Sequence, residues 1–406
     1  MVQHPKQQKF IFGGWYAPAN EEKYFRWFRE CGLEVLTYLG GEDTGAVNGA
    51  DYDDAVELCE KFQIKFLVDV SQGYPKKFPA DYTSKDCFLG FLVKDEPTPQ
   101  LFNELNTEIA AYEKLYPNAL EFVNLYPSYV DTKWLGCTYD EYVSRFADEV
   151  LSKIGGRKVL SFDYYPIVIV DGKKYLNETW LRDTERIAVQ AEKLGAERSC
   201  FVQTMPIIGS RDRMPSLEEI RLQVYVYAAY GYGWINYFCY ATPPSNFEFS
   251  ETCYAMLDRE GNRTHLYDAV KNVNAELQEF ASERFSRDWV GVLPVPAENR
   301  ELCEGFSLLK EALTLEQSGL TSVTSDADAI VGCFAGKTGP AYVFVNYNDL
   351  SEGITAHLHI AFSDTEEVKL CREGKWEKIS LADGALDLTL EPGGGCFLFP
   401  SKGRSK

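Results

Sequence analysis

The chain has 406 residues, more than one ordinary core organises, and 45% of them are apolar, enough for a large folded interior and against disorder. Its net charge of −20 argues against a nucleic-acid or anionic-membrane partner, because phosphate binding needs clustered Lys and Arg; a neutral or cationic ligand fits better. Met1 to Gln8 is polar with no apolar h-region, and no stretch reaches the roughly 18 apolar residues of a membrane span.

Eight short apolar runs alternate with amphipathic stretches, at 9–13, 33–39, 65–70, 88–94, 120–125, 159–164, 200–204 and 234–240. Most are nearly continuous in apolar character, as parallel strands buried on both faces must be. The stretches between them carry helix start signals: Thr98-Pro99, Thr138 with Glu141, and Ser216 with Glu219. Stop signals stand at Gly32, Gly155-Gly156 and Gly195. Eight such units predict a (β/α)₈ TIM barrel over 1–288, about the length that fold takes. The doubly wound alternative wants a GxGxxG turn after the first strand, and Gly13-Gly14-Trp15-Tyr16 is not one. After the sixth strand, 167–175 reads as a β-hairpin around Asp171-Gly172, placed to stand beside the barrel mouth. His265–Phe285 reads as the eighth barrel helix. From 289 to 406 the pattern is strand and turn, which predicts a small all-β, sandwich-like domain.

Barrel enzymes place chemistry where strands end and βα loops begin. The residues there are Trp15, Tyr38, Asp69, Asp95 with Glu96, Asn124 with Tyr126, Asp163 with Tyr164 and Tyr165, Gln203, and Tyr237 with Tyr240. This ring holds carboxylates, amides and aromatics and no Lys, Cys or His nucleophile, a set suited to sugars. Carboxylates supply acid and base, amides bind hydroxyls, and rings cover the apolar sugar face. Trp15, Tyr38, Asn124, Tyr126, Tyr164, Gln203 and Tyr237 are the candidate substrate contacts. Each also has a plain structural reading, because inward rings fill barrels. No metal or other cofactor is expected: there are four histidines and no CxxC spacing, and the eleven cysteines read as reduced core thiols of a cytosolic protein. Secretion stays open if a leader has been removed, and so does a homo-oligomer.

Asp95-Glu96-Pro97 is the sharpest signal. Cleaving a glycosidic bond needs a proton on the leaving oxygen while positive charge grows on the ring, and adjacent acids at a strand end push one pKa upward. The competing account is acids decorating the start of the helix after Thr98-Pro99. The chain resembles the large clan of barrel glycoside hydrolases, and within it the poorly characterised bacterial β-galactosidase-like proteins. The resemblance runs through Phe91-Leu92-Val93-Lys94-Asp95-Glu96-Pro97, Ser161-Phe162-Asp163-Tyr164-Tyr165-Pro166, Leu222-Gln223 to Tyr237-Phe238-Cys239-Tyr240, and Tyr342-Val343-Phe344-Val345-Asn346-Tyr347. It spans nearly the whole length, in pattern more than in diagnostic motif. It implies a glycosidase with a carbohydrate substrate, in which Glu96 matches the clan's strand-four acid/base.

The clan's nucleophile is a Glu closing strand seven, where this chain has Gln203. Three readings absorb the departure. In one, Asp95 and Glu96 act as a pair, as in the barrel hexosaminidases that use the substrate's acetamide and whose Asp-Glu pair this run resembles. In another, Asp163 is the partner carboxylate. In the third, the barrel has lost its nucleophile and only binds carbohydrate. The first faces a geometric obstacle: strand neighbours point to opposite faces, so Asp95 and Glu96 share a site only where the strand breaks. A lyase or isomerase fits less well, for want of a Lys, His or metal cluster at the mouth.

Overall fold

The computed structural model describes residues 7–37, 52–71, 80–170, 173–206, 214–245 and 249–401. Eight parallel strands close into a barrel: β1 (Ile11–Gly14), β2 (Val35–Leu36), β3 (Lys65–Asp69), β4 (Phe88–Asp95), β5 (Leu120–Leu125), β6 (Val159–Asp163), then β9 (Glu197–Gln203) and β10 (Trp234–Phe238), which pairs back onto β1. Between β6 and β9 stands the expected hairpin, β7 (Ile167–Val170) against β8 (Lys173–Leu176); its Asp171-Gly172 turn lies outside the described residues.

Each strand is apolar on both sides because each side has its own core. Outward residues such as Phe91, Val123, Phe162, Val202 and Ile235 meet the surrounding helices. Inward Leu92, Leu120, Phe122, Val159, Phe201 and Trp234 fill the interior. Above them, polar inward side chains satisfy one another. The Thr37 hydroxyl donates to Asn236 Oδ1 at 2.7 Å, the Asn236 amide donates to Ser199 at 3.0 Å, and the Ser161 hydroxyl donates to Asn124 Oδ1 at 3.0 Å. Buried amides without such partners would cost about 1–3 kcal/mol each.

The helix signals act as expected at two starts. Thr138 with Glu141 and Ser216 with Glu219 form complete capping boxes for Tyr139–Glu149 and Leu217–Ala229. Gly195 closes Trp180–Leu194 in a left-handed conformation. Thr98 makes no side-chain cap: Pro99–Leu101 is a 3₁₀ turn, and the helix proper is Phe102–Leu115. Gly155-Gly156 ends no α-helix, because a 3₁₀ turn, Leu151–Lys153, follows Tyr139–Glu149. The last barrel helix is His265–Phe285, as read.

Antiparallel strands follow: β11 (Asp288–Val295), β12 (Ser322–Ser325), β13 (Ala329–Ala335), β14 (Ala341–Asn346), β15 (Ala356–Ala361), β16 (Glu367–Arg372), β17 (Lys375–Ser380), β18 (Ala385–Leu390) and β19 (Gly395–Ser401). They form a six-stranded sheet, β11-β13-β14-β19-β16-β17, and a three-stranded sheet, β12-β15-β18, with Val331, Phe344, Leu358 and Leu388 between them. The larger sheet packs on the barrel helices. Its approach is close enough that a Cβ on Gly332 would lie 2.3 Å from Ala229 O, and one on Gly395 would lie 2.4 Å from the Tyr225 ring. Phe397 stacks on Phe280 at 4.8 Å between ring centres. All eleven cysteines are free, and no helix among the described residues is long and apolar enough to cross a membrane.

Candidate active site

The C-terminal ends of the barrel strands open into a cavity of about 540 Å³. Asp95, Glu96, Asn124, Asp163 and Gln203 line it, with Trp15, Tyr129, Tyr165, Phe201 and Phe238 as aromatic walls and the hairpin residues Ile167 and Val168 on one side. Among the described lining residues there are three carboxylates and no Lys, Arg or His.

Strict alternation from inward Leu92 would turn Asp95 out of the barrel. The register between β4 and β5 slips instead: Leu92 pairs with Phe122, Lys94 with Val123, and Asp95 with inward-facing Asn124. This bulge at Val93 adds one residue to β4 and re-aims everything after it. Lys94 is carried toward β3, where its ammonium donates to Ser71 O at 2.9 Å. Glu96 then leaves the strand with φ +49, a left-handed conformation that costs a non-glycine residue roughly 1–2 kcal/mol. Two bonds hold the turn: Glu96 N–H donates to Asn124 O at 2.8 Å, and the Tyr142 hydroxyl donates to Pro97 O at 2.9 Å. Bulge and turn together bring two consecutive acids to one cavity and remove the obstacle that alternation had posed.

Asp163, at the end of β6, is the third acid and is 7% exposed. The Asn124 side-chain amide donates to Asp163 Oδ1 at 2.9 Å and to Asp95 Oδ1 at 3.2 Å. The two oxygens are therefore no farther apart than those bonds laid end to end, about 6 Å. Burial, and then the Asp95 charge, push Asp163 up to about 7. Asp95 is exposed at the cavity; the protein packed around it, and then the Asp69 charge, push it up to about 6 against the lowering bond from Asn124. Two such carboxylates beside one amide titrate as a pair rather than singly.

Trp15, Asn124 and Gln203 line the cavity as the sequence suggests. Gln203 Oε1 accepts the Ile167 N–H at 3.4 Å, which ties the end of β9 to the hairpin. Tyr126 stands beside the acids, whose charges help raise its phenol pKa after burial, but it packs against Tyr142 and does not line the cavity. Two expected contacts face the helix layer instead. The Tyr164 hydroxyl pairs with Thr179 at 2.5 Å, and the Tyr237 hydroxyl donates to Asn274 of His265–Phe285 at 2.5 Å. Both are one residue off the inward parity of their strands, and Asp163 and Phe238 take the cavity positions. Tyr38 lies outside the described residues. Asp69 accepts the Ser71 N–H at 2.9 Å and caps its own turn.

Tyr129, Phe201, Phe238 and Asn177 are lining residues that sequence reading passed over. Phe201 and Phe238 carried a signal, since each is two residues from an inward neighbour. Tyr129 and Asn177 sit in loops, and nothing local marks them.

No protein-family model matches the chain, and no curated protein matches it in sequence. Solved structures do resemble it. A β-L-arabinopyranosidase from Geobacillus stearothermophilus shares 11% identity, with 98% of each chain covered and a TM-score of 0.48. A β-galactosidase from Bacillus circulans sp. alkalophilus shares 11%, covering 97% of this chain and 99% of that one, TM-score 0.47. An endo-β-1,4-mannanase from Thermotoga petrophila shares 10%, covering 95% and 92%, TM-score 0.41. Likeness of that depth says nothing about chemistry. The barrel rests on its own strand pairing, and the chemistry has to come from the side chains.

Proposed function

We propose that the chain is a glycoside hydrolase, with Glu96 as general acid/base and Asp95 or Asp163 as the partner carboxylate. The observation that carries this reading is the gathering of three acids in one aromatic-walled cavity, two of them about 6 Å or less apart through a shared amide. Glycosidic cleavage asks for these parts. Glu96 gives a proton to the departing oxygen and then takes one from water. An ionised Asp163 or Asp95 attacks or stabilises the positive ring carbon. The aromatic rings cover the apolar faces of a sugar, and the acid-rich lining favours an uncharged or cationic one.

Glu96→Gln keeps the fold and lowers turnover of an aryl-glycoside or glycan panel by about 10²–10⁴-fold, the usual worth of a positioned acid. Full turnover in that variant would sink the assignment. A second reading has its own support in Gln203, which stands at the end of the seventh barrel strand and binds the hairpin. In it the barrel binds carbohydrate without cleaving it. Saturable sugar binding by calorimetry with no product release from the same panel would decide for that reading.

A further inference from the structure

At the opposite mouth of the barrel, below the starts of β9 and β10, three arginines are buried together. Arg198 is 7% exposed, Arg284 4% and Arg287 3%. Two have acidic partners: Arg198 pairs with Glu192, and Arg287 with Glu283 at 3.1 Å. Arg284 has none within salt-bridge reach among the described residues. Its Nη2 donates to Gly231 O at 3.1 Å and its Nη1 more loosely to Arg287 O at 3.4 Å, while its buried Nε donates to nothing. Arg198 gives an N–H to the same Gly231 carbonyl at 3.3 Å, so two guanidinium groups converge on one oxygen. Aromatic faces compensate in part, with Phe334 4.1 Å from Arg284 and Trp289 4.4 Å from Arg198. Of the acids around the cavity, Glu192 is engaged by Arg198 and Glu197 by Nε and Nη2 of Arg157, each at 2.6 Å. Asp288 lies at the rim and offsets some of the charge on Arg284. A buried cation without an ion pair is among the more costly arrangements a fold keeps. This one opens onto a cavity of about 200 Å³ lined by Arg198, Arg284 and Arg287. A buried guanidinium without an ion pair that lines a void points to an anion that fills it.

We propose that this cavity is an oxyanion site, in which Arg284 and Arg198 together bind one phosphate-sized anion at the face of the barrel opposite the acids. Arg284 supplies a guanidinium charge that no carboxylate among the described residues pairs directly. Arg198, held by Glu192, Gly231 and the Trp289 face, supplies a rigid second wall. The site is far from Glu96, so its occupancy acts on stability and leaves turnover alone.

The test is thermal unfolding of the full chain in inorganic phosphate, sodium sulfate and sodium chloride at matched ionic strength. Phosphate is expected to raise Tm along a saturable curve that chloride does not reproduce. Sulfate separates a general tetrahedral oxyanion site from one specific for phosphate. Because both salts also stabilise folds by exclusion, the deciding comparison is Arg284→Met. That variant is expected to lose the saturable part and to match or exceed the wild-type Tm in chloride, since it deletes an unpaired buried charge. Calorimetric titration of the wild type with phosphate reads the site without any variant, at one anion per chain. A chloride response equal to that of phosphate, a saturable phosphate effect surviving in Arg284→Met, or no heat on titration overturns the proposal.

Discussion

At the scale of single residues, the decisive object is the Asn124 amide. Its oxygen accepts from Ser161, so its two N–H groups have one possible orientation, one toward each carboxylate. Removing the Asp95 charge should then be felt by Asp163. In Asp95→Asn, the Asp163 pKa falls from about 7 but stays above an ordinary carboxyl, because burial outweighs the neighbouring charge. The acid limb of kcat/KM, set by the need for an ionised Asp163, moves to lower pH; a limb that stays put would show that the two acids are not coupled. The sign for stability is the reverse of the usual paired acid. A carboxyl whose folded pKa is raised holds its proton more tightly folded than unfolded, so its contribution is best below about pH 4 and is lost as pH climbs to about 7. Asp163→Asn is therefore expected to raise Tm more at pH 8 than at pH 4 while activity falls, and Tm gains equal at both pH values would contradict it. The acids at this site were legible in the sequence, because strand-end carboxylates are rare and placed by the eight-run pattern.

At the scale of elements, what the sequence hid was parity. A parallel strand buried on both faces is apolar throughout, so period two is not written in it. That is why Tyr164 and Tyr237 read as cavity residues when Asp163 and Phe238 hold those places. The bulge at Val93 is harder still, since it leaves no composition signal and reverses the parity of all that follows it in β4. Set against an unbulged strand without a gap, Lys94 would fall in the place of Asp95 and an acidic site would look basic. The hairpin was legible, but its anchor was not. Leu176 N–H, at the foot of β8, donates at 3.1 Å to Asp349 Oδ2, whose other oxygen accepts from Ser351 N at 2.8 Å. Asp349 thus ties a cavity wall to the sheet domain. Asp349→Ala is expected to raise KM several-fold with kcat nearly kept, because the wall is loosened and the acids are not. A proportionate fall in kcat with unchanged KM would place Asp349 elsewhere in the mechanism.

At the scale of the whole molecule, the two units share a seam. Leu217–Ala229 is buried nearly all round, with Gln223, Tyr225 and Ala229 each at most 1% exposed. A helix buried nearly all round has two cores to satisfy, the barrel on one side and the larger sheet on the other. A chain ending at Arg287 is expected to aggregate or to unfold well below the full chain, which should melt in a single calorimetric transition; a soluble truncated barrel with wild-type Tm would show the seam to be dispensable. Gly332 and Gly395 sharpen the point, since each marks a place where a side chain is missing so that backbone can touch helix. Such a contact is matched on both sides and belongs to neither unit alone. Neither the barrel nor the sheet domain is therefore a module that can be exchanged freely: a donor sandwich would need glycine at the same two places.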